Sequence, residues 1–114
     1  MAAYTYIVRC ENGALYTGIT RDVRARLATH ASQKEACAKF TRSFRVIELV
    51  ALFAADTYSL AARLEYAIKR LPKKEKEALI AEQETALSER FPHLPCDAIE
   101  RVEDLAEYMD IFDK

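Results

Sequence analysis

The chain has 114 residues, enough for one domain with a real core, and its 51% hydrophobic and 31% charged content is that of a soluble globular protein. No apolar run approaches the roughly 20 residues of a membrane span, and the opening MAAYTYIVRC has no basic region followed by a greasy one, so a cytoplasmic chain is expected. The net charge of −1 conceals a division: residues 1–80 carry 14 Lys and Arg against 8 Asp and Glu, whereas residues 81–114 carry 3 against 10.

YTYIVRC (4–10) and ALYTGI (14–19) are rich in β-branched and aromatic residues. Between them stands Asn12-Gly13, the pair most tolerant of the positive φ angles that a tight hairpin demands. Thr20 can cap a helix beginning near Asp22, whose carboxylate suits the positive end of the helix dipole. Val23, Leu27 and His30 share one face of that helix, and Arg26 lies at the edge of the stripe. SQKEACAKFTRSF (32–44) is polar and reads as a loop, and RVIELVALFA (45–54) as a third, mostly buried strand. DTYSLAARLEYAIKRL (56–71) is a helix with Leu60, Leu64, Ile68 and Leu71 at helical spacing. Pro72 fits the first turn of a further helix predicted over 73–91, which PHLPCD (92–97) breaks. A last amphipathic helix is predicted over 98–112, with Ile99, Val102, Leu105, Met109 and Phe112 on one side.

The order β-β-α-β-α-α with an added helix gives an α+β fold, a three-stranded antiparallel sheet flanked by helices. Residues 1–80 are expected to form the basic domain. Residues 81–114 form an acidic helical extension that docks its apolar stripe on that domain or on a second copy of the chain, as a homodimer. Glu100, Glu103, Asp104, Glu107 and Asp110 would then lie near the basic run Lys69, Arg70, Lys73, Lys74 and Lys76 and repel phosphates. The alternative is that the tail only completes a small core. Cys10, Cys37 and Cys96 are odd in number and far apart, which indicates neither a disulfide framework nor a zinc site.

Several residues ask for more than packing. A histidine on an apolar face is usually a hydrogen-bonded core residue, but Arg26, one turn before His30, is expensive near a core unless it meets an anion. Tyr6 and Tyr16 lie on the two hairpin strands, where tyrosine is ordinary. Gly18 weakens a strand unless a backbone or ligand must come close. Glu65, at the margin of an apolar helix face, is as a rule an ion-pair partner, here of Lys69 four residues on.

Taken in order, TYI (5–7), YTG (16–18), Arg26, His30 and Glu65 resemble the GIY-YIG nuclease domain, most closely its small stand-alone bacterial members, over about residues 4 to 80. The first signature reads Tyr4-Thr5-Tyr6 rather than Gly-Ile-Tyr, and Phe40 stands where the subgroup usually has tyrosine. The resemblance implies a metal-dependent nuclease acting on DNA, with Glu65 holding one Mg²⁺ or Mn²⁺. It implies Arg26 as the clamp on the scissile phosphate and Tyr6 as general base, with His30 as its proton relay. Tyr16 would orient water or phosphate, and Gly18 would give the DNA backbone room. Lys39, Thr41 and Arg42 match the subgroup's AK-TR segment, and with Lys69, Lys73 and Lys74 would contact the nucleic-acid backbone. The alternatives are a nucleic-acid-binding or protein-interaction module that keeps the fold with little catalysis.

Overall fold

Gly13 takes a φ of +85°, the left-handed conformation that the Asn12-Gly13 turn requires, and the Asn12 side chain accepts a hydrogen bond from the Ala14 N–H at 3.1 Å. The turn joins β1 (Ala3–Cys10) to β2 (Leu15–Thr20). They pair antiparallel in a register that sets Tyr6 opposite Gly18. The chain is described by a computed structural model over residues 2–32, 45–82 and 87–112.

Helix α1 (Val23–Ser32) starts where Asp22 accepts from the Ala25 N–H at 3.1 Å. Asp22 is therefore the capping residue, and Thr20, accepting from the Asp22 N–H at 3.0 Å, braces the turn before it. Strand β3 (Val46–Ala55) pairs antiparallel with the other side of β1. Helix α2 (Tyr58–Lys69) is capped by Thr57, which accepts from the Leu60 N–H at 3.1 Å. Helix α3 (Lys73–Ala81) follows Pro72, and a single turn, α4 (Leu87–Arg90), comes next.

The structure departs from the expectation from Glu82 on, where extended backbone ends at Ala81 the helix predicted over 73–91. Residues 98–112 are not one helix. Ile99–Arg101 form a fourth strand, β4, antiparallel to β3, so the sheet has four strands in the order β2-β1-β3-β4 rather than three. Ile99, buried, alternates with the exposed Glu100, a two-residue period that overrides the helical one. Arg101 then fixes the strand in place. Its guanidinium donates to the carbonyls of Leu79 (2.9 Å), Ile80 (2.8 Å) and Glu82, at the end of α3 where carbonyls have no helical partner. A 3₁₀ helix over Ala106–Phe112 is the last described element, and the Asp104 carboxylate accepts from the Ala106 N–H at 3.0 Å.

The sheet has a core on each face. On one, Ile7, Ala51 and Phe53 pack against Leu60, Leu64 and Ile68 of α2, Leu79 of α3 and Phe91. On the other, Tyr6, Val8, Leu49 and Leu52 meet Val23 and Leu27 of α1. Val102, Leu105, Tyr108, Ile111 and Phe112 pack on this second core, whereas Ile99 joins the first and Met109 is exposed, so the expected stripe is divided. Asp110 pairs with Arg24 on α1 at 3.2 Å, on the α1 face of the sheet, because the part of the stripe that carries it is anchored there. Among the described residues, no helix is long and apolar enough to cross a membrane.

Candidate active site

Tyr6 points into the α1-side core with its hydroxyl at the end of a short polar chain. The hydroxyl lies 2.8 Å from His30 Nε2, and Arg26 Nε donates to it at 3.3 Å. The helical spacing of Arg26 and His30 makes this possible, since residues four apart lie one above the other on α1. His30 is fully buried and Tyr6 almost so. In the tautomer with its proton on Nδ1, a neutral imidazole accepts at Nε2 from the phenol, whose oxygen in turn accepts from Arg26.

Burial dominates the electrostatics. It pushes the Tyr6 phenol up to about 12, against the hydrogen bond and positive charge of Arg26, with Tyr16 and Glu65 adding to the rise. Burial, then the Arg26 charge, brings His30 down to about 4. For Arg26 itself, burial opposes the charge, but hydrogen bonding to Tyr6 and Tyr16 and the proximity of both phenols hold the guanidinium above its usual range.

Tyr16 completes an aromatic cluster. Its ring centroid is 5.4 Å from that of His30, edge to face, and 6.5 Å from that of Tyr6. Strand β2 is the edge of the sheet, so side chains from α2 can reach around it to this cluster. Lys69 does so, with its ammonium 5.8 Å from the Tyr16 ring centroid and 3.5 Å from the Glu65 carboxylate. Glu65 thus stands on the same side as the phenols, part-exposed at 22% of its side chain.

Four elements, β1, β2, α1 and α2, therefore bring Tyr6, Tyr16, Arg26, His30, Glu65 and Lys69 together. Lys73 lies apart, donating to the Gly13 carbonyl at 3.0 Å beside the hairpin turn, and Lys74 is exposed. Lys39, Thr41 and Arg42 lie outside the described residues. Gly18 has a different duty from the one expected. A Cβ there would sit 2.6 Å from Tyr6 Cζ, so its space is filled by the Tyr6 ring and is not open to a DNA backbone. Sequence reasoning also missed Thr5, whose buried hydroxyl donates to the Ala61 carbonyl at 2.8 Å and ties α2 to the strand beside Tyr6. A threonine between two residues of an apolar strand was the only hint.

Glu65 is the carboxylate of this cluster, and among the described residues no three His, Cys, Asp or Glu side chains come together. A lone, part-exposed carboxylate suits a hard cation that keeps waters and takes phosphate oxygens, as Mg²⁺ and Mn²⁺ do.

Residues 2–78 match the family model described as the GIY-YIG catalytic domain. The chain is 38% identical over 89 residues to the UPF0213 protein FN1575 of Fusobacterium nucleatum, which covers 78% of this chain and 87% of that one. It is 52% identical over 79 residues to the UPF0213 protein VC_A0739 of Vibrio cholerae, covering 68% and 76%. The solution NMR structure of the UPF0213 protein BH0048 from Bacillus halodurans is 43% identical and covers 71% of this chain and 84% of that one, with a TM-score of 0.45.

Proposed function

Since this chain belongs to the GIY-YIG family, we propose that it is a divalent-metal-dependent endonuclease that hydrolyses phosphodiester bonds in DNA, in repair or processing. The observation that carries the reading is the Tyr6 hydroxyl, held between a guanidinium and a buried imidazole on the basic part of the chain. Pure binding needs no such relay.

Arg26 opposes the charge that builds on the scissile phosphate. A water oxygen forms the new bond to phosphorus as the bond to the leaving oxygen breaks. The water proton passes to the Tyr6 oxygen while the phenol proton moves to His30 Nε2, so no free phenolate is needed. That matters because a phenol near 12 is a poor base alone. The incoming phosphate offsets the Arg26 charge that disfavours imidazolium, which readies His30 to accept the proton. The leaving oxygen takes a proton from solvent, and the imidazolium returns one. Mg²⁺ or Mn²⁺ held at Glu65 would supply Lewis-acid stabilisation of the phosphate oxygens. Tyr16 orients the water or phosphate, and Lys69, Lys73 and Lys74, with Lys39, Thr41 and Arg42, bind the backbone phosphates.

Nicking of supercoiled plasmid, with and without Mg²⁺ or Mn²⁺, tests the reading. Wild-type protein should nick only with metal. Glu65→Ala should not nick, yet should bind labelled DNA about as well, because the basic surface is untouched. Metal-dependent nicking by Glu65→Ala would overturn the assignment of Glu65. DNA binding by a wild-type chain that is inert under all conditions would leave a binding module.

A further inference from the structure

The solvent face of α2 carries a groove that the proposed chemistry does not use. It has two halves, of about 420 and 380 Å³, which share Tyr66 and His93. Its apolar lining comes from Leu71, Phe91 and Leu94. The far wall, from Arg90 to Leu94, lies beyond residues 2–78 that match the family domain. The groove is therefore built partly by this chain's own extension.

Tyr66 is 63% exposed on a helix whose opposite face is core. Its hydroxyl accepts from Arg70 Nη1 at 2.9 Å, and the Arg70 guanidinium lies 5.5 Å from its ring centroid. Arg63, one turn earlier, donates to the His93 carbonyl at 3.4 Å. Arg90, which also lines the groove, is engaged by Glu75 at 2.8 Å and by Glu82. Among the described residues, Arg63 and Arg70 make no ion pair, and no acidic side chain lines either half. Among the described residues, an exposed aromatic ring thus lies between two guanidinium groups that have no acidic partner.

That combination fits an anionic chain with planar groups that are free to stack. Single-stranded nucleic acid has both, phosphates for Arg63 and Arg70 and an unpaired base for Tyr66. A duplex keeps its bases stacked on one another and offers Tyr66 nothing. Glu65 and Tyr66 are consecutive on α2, about 100° apart around its axis, so a strand leaving the Glu65 side can pass around one helix into the groove. We infer that this groove binds a single-stranded segment of the nucleic acid engaged at the Tyr6–Glu65 site, an assignment that rests on the nuclease reading.

The test uses the full chain in chelator, so that nothing is cut, and compares a labelled oligothymidylate with a duplex of equal length by fluorescence anisotropy. Tyr66→Ala should weaken oligothymidylate binding about tenfold or more while leaving the duplex unchanged, and Tyr66→Phe should keep the affinity. Replacing Arg63 and Arg70 with Ala should weaken the single strand and flatten its salt dependence. Unchanged oligothymidylate binding by Tyr66→Ala, or equal losses on both ligands, would overturn the groove. Plasmid nicking by the same preparations separates the two readings. A chain that never nicks but shows the Tyr66-dependent preference keeps the groove and loses the nuclease. One that nicks with no Tyr66 effect keeps the nuclease and loses the groove.

Discussion

Gly18 faces Tyr6 across the β1–β2 ladder, and the side chain that glycine lacks would lie 2.6 Å from the Tyr6 ring carbon that bears the hydroxyl. The ring cannot retreat, because its hydroxyl is held by His30 and Arg26. Gly18→Ala should therefore displace the phenol, cost about 1–3 kcal/mol in urea unfolding as an overpacked core does, and lower nicking activity. Combining it with Tyr6→Ala should recover part of the added loss, since the clash then has no partner. A Gly18→Ala protein with wild-type stability and rate would show that the ring has room.

Tyr6→Phe keeps the ring and removes only the hydroxyl between guanidinium and imidazole. Stability should change by about 1 kcal/mol, the net worth of a hydrogen bond. Nicking should fall about 10²- to 10⁴-fold, the range of a lost acid–base catalyst. Single-turnover nicking at saturating protein separates the chemical step from binding. A wild-type rate in Tyr6→Phe would remove the hydroxyl from the proton path.

His30 gives the fold a pH dependence of known sign. In the unfolded chain it takes a proton near its reference value, but in the folded protein it stays neutral until about 4. Between those values the unfolded state binds more protons, so this contribution to stability is present above about 6.5 and lost as pH falls toward 4. The full drop is about 3 kcal/mol. Urea unfolding across this window should show a shallower decline for His30→Gln than for wild type. Parallel declines would place the acid sensitivity elsewhere.

Arg101 joins β4 to the end of α3 through three carbonyls, and its side chain also lies over the Phe53 ring at 5.6 Å. Arg101→Ala should cost about 2–3 kcal/mol, because it removes charged hydrogen bonds and a cation at a helix C-terminus. DNA affinity measured by anisotropy should stay the same, since these contacts lie away from the Tyr6 cluster. A large loss of affinity without loss of stability would show that Arg101 belongs to the binding surface.

What the sequence made legible depended on the range of the interactions. The hairpin was plain from Asn12-Gly13, and α2 from Leu60, Leu64 and Ile68, because both are local patterns. Tyr6, Arg26 and His30 could be grouped because helical spacing puts the last two on one face. The duty of Gly18 could not be read, since it depends on register with a residue twelve positions earlier. Ile99–Arg101 reads as helix because Ile99 falls at helical spacing with Val102 and Leu105. What decides for a strand is the open edge of β3 and the carbonyls of α3, neither of which shows in the residues themselves.

The place of β4 in the sheet bears on how the protein is made. Strand β3 ends at Ala55, but its outer neighbour comes only with Ile99–Arg101, and the Val102 N–H then donates to Leu52 at 2.8 Å. On the ribosome, synthesis at about 5–20 residues per second leaves that edge of β3 without a partner for some seconds. A nascent chain with an apolar strand edge is an invitation to pair with another chain. Translation that stalls between the two strands would leave β1, β2 and β3 assembled with one side open, a fragment suited to aggregation or to capture by a chaperone.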